Sequence, residues 1–221
     1  MIKTASEIKA HFLRTAIAAG ALKFGQFTLK SGRVSPYFFN AGLFCDGAQL
    51  NALSACYADT LMASDIRFDM LFGPAYKGIT LASATALQLS LRHDRTLPFS
   101  FNRKEAKAHG EGGLLIGAPL QGRVVIVDDV ISAGTSVRES MEIIQASGAT
   151  PAAVIIALDR QERGSTGDQL SAAQQAQQQF GIPVIAVAGL NDLLSQDLPE
   201  VKPYRDDLLR YRRKYGALNS A

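Results

Sequence analysis

The chain has 221 residues, 47% of them apolar and 19% charged, with 19 glycines and 8 prolines; that composition fits one globular domain with a small accessory layer and excludes collagen-like, coiled-coil and disordered classes. The formal net charge of +3 is unevenly spread: residues 201–221 carry six basic side chains against two acidic, a net +4, leaving about −1 for residues 1–200. A near-neutral body argues against a general nucleic-acid surface, and no nucleic-acid partner is expected, although the basic tail is where one would bind.

At the N-terminus Thr4 and Glu7 form a capping-box pattern, and Ile8, Phe12, Ala16 and Ile17 continue at helical spacing until Gly20. This start lacks the apolar stretch of a signal peptide. No window approaches the ~20 apolar residues that span a bilayer, so a cytoplasmic protein without a membrane partner is expected. Residues 24–30 and 37–40, joined across Ser31-Gly32-Arg33, predict a hairpin that forms a small antiparallel cap. Cys45 and Cys56 have no Cys-x-x-Cys pair and no adjacent histidine, which points to two buried reduced thiols and not to zinc or a disulfide.

From about residue 46 the pattern alternates. Helices are predicted over 47–63, 77–91, 135–147 and 168–180, and strands over 70–72, 99–101, 124–127, 153–158 and 184–187. Repeated βα units with wholly apolar strands predict an α/β fold, an open parallel sheet flanked by helices. A single domain over 1–221 is expected, with the cap supplied mainly by residues 1–45 and a basic helix at 203–215. In such a sheet, ligands bind at the carboxyl ends of the strands.

Four segments fall there. The apolar strand 124–127 runs into Asp128 and Asp129, then Val130-Ile131-Ser132-Ala133-Gly134-Thr135-Ser136 opens a helix. Backbone N–H groups at that helix start, with the Thr135 and Ser136 hydroxyls, make a seat for a phosphate. Carboxylates beside a phosphate are repulsive unless sugar hydroxyls or a bound Mg²⁺ satisfy them, which points to a phosphorylated sugar. A nucleotide-hydrolysing aspartate is the rival reading, but the chain has no G-x-x-x-x-G-K-[ST] and no G-x-G-x-x-G. After strand 70–72, Gly73 and Pro74 make a tight turn, with Tyr76 and Lys77 at a helix start suited to diphosphate. Residues 103–113 combine Arg103, Lys104, Lys107 and His109 with three glycines, the make-up of a mobile cationic lid. Finally, Phe38 and Phe39 lie on the aromatic hairpin and Arg160 follows strand 153–158, where its planar guanidinium can grip a carboxylate; an ion pair with Asp159 or Glu162 on a loop surface is the lesser alternative.

The run from Val127 to Thr135 resembles the phosphoribosyl-diphosphate signature of type I phosphoribosyltransferases. The segments 27–33 with 36–40, 73–79 and 102–113 narrow that resemblance to the orotate phosphoribosyltransferase family and extend it over nearly the whole chain. It implies transfer of a 5-phosphoribosyl group from 5-phosphoribosyl 1-diphosphate to orotate, giving orotidine 5′-phosphate and diphosphate in pyrimidine biosynthesis. It further implies Mg²⁺ held through the diphosphate and ribose hydroxyls more than by protein side chains, and a homodimer whose lid partly serves the neighbouring subunit.

Residue by residue, the resemblance assigns Lys107, His109, Asp128 and Asp129 to catalysis. Lys30, Tyr76, Lys77, Arg103, Lys104, Lys107 and His109, together with the whole run Asp128 to Ser136, are assigned to the phosphoribosyl diphosphate. Phe38, Phe39, Ser132 and Arg160 are assigned to orotate. Two departures stand out: Ala108 occupies a position where the family usually has an acidic residue, and Ser132 replaces the commoner threonine, keeping the hydroxyl. A phosphoribosyltransferase for another base would have no use for Arg160 and the aromatic hairpin. A non-catalytic sensor of phosphoribosyl diphosphate acting through the basic tail would not need the lid cations.

Overall fold

A computed structural model describes residues 4–29, 31–105, 114–132, 134–164 and 169–218. Lys30, Lys107, His109 and Ala133 therefore lie outside the described residues, as do Ala108 and most of the expected lid.

Helix α1 (Ala5–Ala18) starts with the predicted Thr4/Glu7 capping box. The hairpin follows as β1 (Leu22–Thr28) and β2 (Val34–Phe39), paired antiparallel in a sheet of their own. Next come α2 (Gly47–Ala63), β3 (Met70–Gly73), α3 (Lys77–His93), β4 (Phe99–Asn102), β5 (Leu115–Gly117) and β6 (Arg123–Val127). The chain continues through α4 (Thr135–Ala146), β7 (Thr150–Asp159), α5 (Ala172–Phe180), β8 (Val184–Gly189), α6 (Leu190–Ser195) and α7 (Arg205–Tyr215).

The main sheet has the order β5-β4-β3-β6-β7-β8. Five of its strands run parallel, as expected, and the short edge strand β5, which the sequence did not mark, pairs antiparallel with β4. Alternate side chains of the central strands face opposite layers. Val125 and Val127 pack with the core under α1, α2, α3, α6 and α7, while Val124 and Ile126 pack under α4 and α5. Every one of the four is fully buried, which is why β6 reads as an unbroken apolar run.

Connections from β3 to β4 and from β6 to β7 and β8 lead away from the sheet centre in opposite directions, so the strand order reverses between β3 and β6. A crevice opens at such a switch point, outside the carboxyl ends of the two strands. Gly73-Pro74 leaves β3 there, and Asp128-Asp129 leaves β6. The hairpin packs through β2 against α7, while α1 packs against α2, α6 and β8. Among the described residues, no helix is long and apolar enough to cross a membrane. Cys56 is buried in α2 as expected, whereas Cys45 is exposed, because it lies in the short segment leading to the Asp46 cap of α2.

Candidate active site

The switch point is held open by close backbone packing. A Cβ on Gly73 would lie 2.0 Å from the Gly78 carbonyl oxygen, and one on Gly78 would lie 2.6 Å from Pro74 Cδ and 2.8 Å from the Val127 carbonyl oxygen. Only glycine at both positions lets the start of α3 press against the ends of β3 and β6. Lys77, the first residue of α3, then reaches across to Asp129, Nζ to Oδ2 at 2.6 Å. The Ala75 amide donates to Asn102 Oδ1 at 2.9 Å, fixing the same turn to the end of β4. Tyr76 stays 70% exposed, with Lys104 Nζ 5.1 Å from its ring centre.

Asp128 and Asp129 are both buried, but they are held differently. Asp128 Oδ1 accepts from the Asp129 amide at 2.9 Å and Oδ2 accepts from Ser136 Oγ at 2.9 Å, so its carboxylate shapes the loop between β6 and α4. Burial is the main cause that raises its pKa to about 6. Tyr57, fully buried on α2, donates from Oη to the Asp128 carbonyl oxygen at 2.8 Å. Gly134, with φ of 72°, takes the left-handed conformation that begins α4 and offers no side-chain cap. The first amides of α4 are therefore left without intrahelical acceptors, which is the physical basis of an anion seat. Thr135 and Ser136 face a cavity of about 560 Å³ that also touches Pro74, Asn102, Arg103 and Lys104. Buried Arg103 Nη1 has no hydrogen-bond partner within the described residues.

Val130, Ile131 and Ser132 border a second cavity of about 330 Å³, closed by Phe38, Phe39 and Arg160. The two aromatics divide their work: Phe39 packs toward Phe12 of the core, while Phe38 is 40% exposed and stacked on Phe27. Arg160 makes the ion pair with Glu162 that the sequence left open, Nη2 to Oε1 at 2.5 Å, and still lines the cavity. Its Nη2 also donates to Ser35 Oγ at 2.9 Å, and its guanidinium carbon lies 4.1 Å from the Tyr37 ring centre.

The structure thus gathers Lys77, Asp128, Asp129 and Ser136 in one hydrogen-bonded group, with Tyr76, Arg103, Lys104 and Thr135 beside it and Phe38, Phe39, Ser132 and Arg160 around the second cavity. Tyr57, Asn102, Ser35 and Tyr37 support these groups and went unassigned in the sequence, since nothing local marks a buried tyrosine or a strand-end asparagine as a brace.

Residues 48–170 match the family described as phosphoribosyl transferase domain. An orotate phosphoribosyltransferase of Stenotrophomonas maltophilia is 59% identical over 214 residues, covering 96% of this chain and 97% of that protein. The chain belongs to the orotate phosphoribosyltransferase family, a family of pentosyltransferases. An orotate phosphoribosyltransferase of Neisseria meningitidis serogroup C is 58% identical, covering 96% of this chain and 99% of the relative. Among solved structures, the orotate phosphoribosyltransferase of Francisella tularensis superposes with a TM-score of 0.82 at 41% identity, covering 93% of this chain and 99% of that one.

Proposed function

We propose that this chain joins a ring nitrogen of orotate to the anomeric carbon of 5-phosphoribosyl 1-diphosphate, breaking the bond to the diphosphate oxygen and releasing diphosphate. The observation that carries the residue assignment is that one short segment, Asp128 to Ser136, borders both cavities. A sugar bridging them would meet Asp128 and Asp129 with its hydroxyls and the α4 amides, with Thr135 and Ser136, through its 5′-phosphate. Orotate fits the smaller cavity, flat against the aromatic wall, with its carboxylate toward Arg160 and Ser132. Lys77, Tyr76, Arg103 and Lys104 then border the diphosphate. Lys107, His109 and Lys30, outside the described residues, are assigned to the same leaving group by family resemblance. Positioning and charge stabilisation account for catalysis without a covalent nucleophile.

Among the described residues, no three His, Cys, Asp or Glu side chains gather into a metal cage. Asp128 has both oxygens engaged and Asp129 is held by Lys77, so Mg²⁺ fits here only with substrate oxygens completing its shell, beside Asp129. When bound, the ion supplies positive charge to the departing diphosphate. We assign the protein to the cytoplasm, in line with its exposed Cys45 thiol. A homodimer is supported by Leu87 and Leu91, 56% and 70% exposed one turn apart on α3. The test is the double variant Asp128→Asn/Asp129→Asn, which should fold normally and lose about a thousandfold in turnover. Near-wild-type kinetics would refute the assignment.

A further inference from the structure

The C-terminal segment has no part in the reaction described above, yet it is bound to the chain just beyond Arg160. Gln161 sits in the left-handed region, with φ of 54°, and turns the backbone so that Arg160 and Glu162 lie side by side. That turn is fixed by three hydrogen bonds: the Gln161 amide to Asp159 Oδ1 at 2.8 Å, Gln161 Oε1 from the Asn191 amide at 2.8 Å, and the Gln161 carbonyl oxygen from the Ala217 amide at 2.8 Å. The tail after α7 pairs antiparallel with this stretch. Glu162 and Gly216 form a β-bridge, the Arg163 amide donates to the Tyr215 carbonyl oxygen at 2.8 Å, and the Arg163 guanidinium donates to the Lys214 carbonyl oxygen.

Glu162 is the point where these contacts meet the base cavity. Its Oε1 holds Arg160 and takes a hydrogen bond from Tyr37 Oη at 3.4 Å, while its Oε2 lies 3.8 Å from Arg33. Two guanidiniums thus share one carboxylate. Arg160 is pressed on the Tyr37 ring and its Nη2 is committed to Glu162 and Ser35, while its buried Nε has no partner within the described residues. An arginine so held has lost its rotamer freedom before any ligand arrives, and a ligand carboxylate gains a fork that is already aimed.

We propose that Glu162, anchored by the antiparallel pairing of the C-terminal tail, is a positioning residue that fixes Arg160 for the carboxylate of the incoming base. The basic helix and tail are then part of base selection. This rests on Arg160 being the group that receives that carboxylate, and the experiment separates the two claims. Steady-state constants are measured for orotate and for 5-phosphoribosyl 1-diphosphate, with uracil, which lacks the carboxylate, as a competitive inhibitor. Glu162→Gln keeps the shape and loses the charge; it should raise the orotate KM about tenfold, leaving kcat, the other KM and the uracil inhibition constant within about twofold. Gly216→Ala acts from outside the cavity, since its Cβ would lie 2.4 Å from the Arg212 carbonyl oxygen and push the tail away. It should shift the orotate KM in the same selective manner, and it serves also if Glu162→Gln folds poorly. Arg160→Gln is the control. If it leaves the ratio of the orotate KM to the uracil constant unchanged, Arg160 does not take the carboxylate. If it changes that ratio while Glu162→Gln and Gly216→Ala leave it unchanged or alter both constants equally, Arg160 keeps its role and the positioning proposal is overturned.

Discussion

Asp128 and Asp129 are neighbours in sequence that meet opposite surroundings. Asp129 faces the ammonium of Lys77, while Asp128 is buried with two neutral donors and has its pKa raised from 3.8 to about 6. A carboxyl whose folded-state pKa is raised contributes stability that is fully present below its unfolded value and lost as pH rises through the folded one. Asp128 therefore favours the fold near pH 4 and opposes it above pH 6. Asp128→Asn should melt higher than wild type at pH 7.5, by up to about 3 kcal/mol, the advantage vanishing near pH 4, while turnover is lost. A calorimetric series from pH 4 to 8 measures this, and an Asn variant no more stable at pH 7.5 would contradict it. In the wild type, kcat/KM should fall as pH drops below about 6, where Asp128 gains its proton. The sequence exposed this pair because two aspartates at the end of an apolar strand, followed by small and hydroxyl residues at a helix start, suit a phosphorylated sugar better than a simple strand-end cap. It could not expose Tyr57, whose hydroxyl reaches Asp128 from a helix far away in the chain.

At the scale of elements, the decisive joint is the one between β3, α3 and β6. Gly73→Ala would push a methyl into the Gly78 carbonyl and part these elements. The expected cost is about 3 kcal/mol, a drop of roughly 6–12 °C in Tm, together with loss of activity because Lys77 rides on α3. A Gly73→Ala protein that melts and turns over like wild type would show that the close approach is unnecessary. The main βα alternation was legible because its central strands are buried on both faces and read as unbroken apolar runs separated by longer helical segments. Two elements were not: β5 has only three residues, too few for any alternation, and α6 begins directly at the end of β8 with no intervening turn signal. Arg160 was legible as a candidate by its place after a strand, but its grip by Glu162 and the tail depends on contacts between positions 160–163 and 214–217, which no local pattern reveals.

For the whole molecule, the proposal of a homodimer, with a lid that the family resemblance implies partly serves the neighbouring subunit, makes a prediction about mixtures. Lys107→Ala and Asp128→Asn should each be inactive alone, and subunit exchange between them should restore about half of wild-type activity per heterodimer, because one composite site in two is then intact. If exchange is verified and the mixture stays inactive, the lid serves its own chain. The central claim, that the smaller cavity selects a carboxylate-bearing pyrimidine for phosphoribosyl transfer, is tested most directly by a panel of free bases. The purified protein is incubated with 5-phosphoribosyl 1-diphosphate and Mg²⁺ and with orotate, uracil, adenine, guanine or hypoxanthine in turn, and diphosphate release is followed. The account predicts rapid release with orotate, at least about a hundredfold slower release with uracil, and none above background with the purines; comparable rates with uracil or a purine would contradict it.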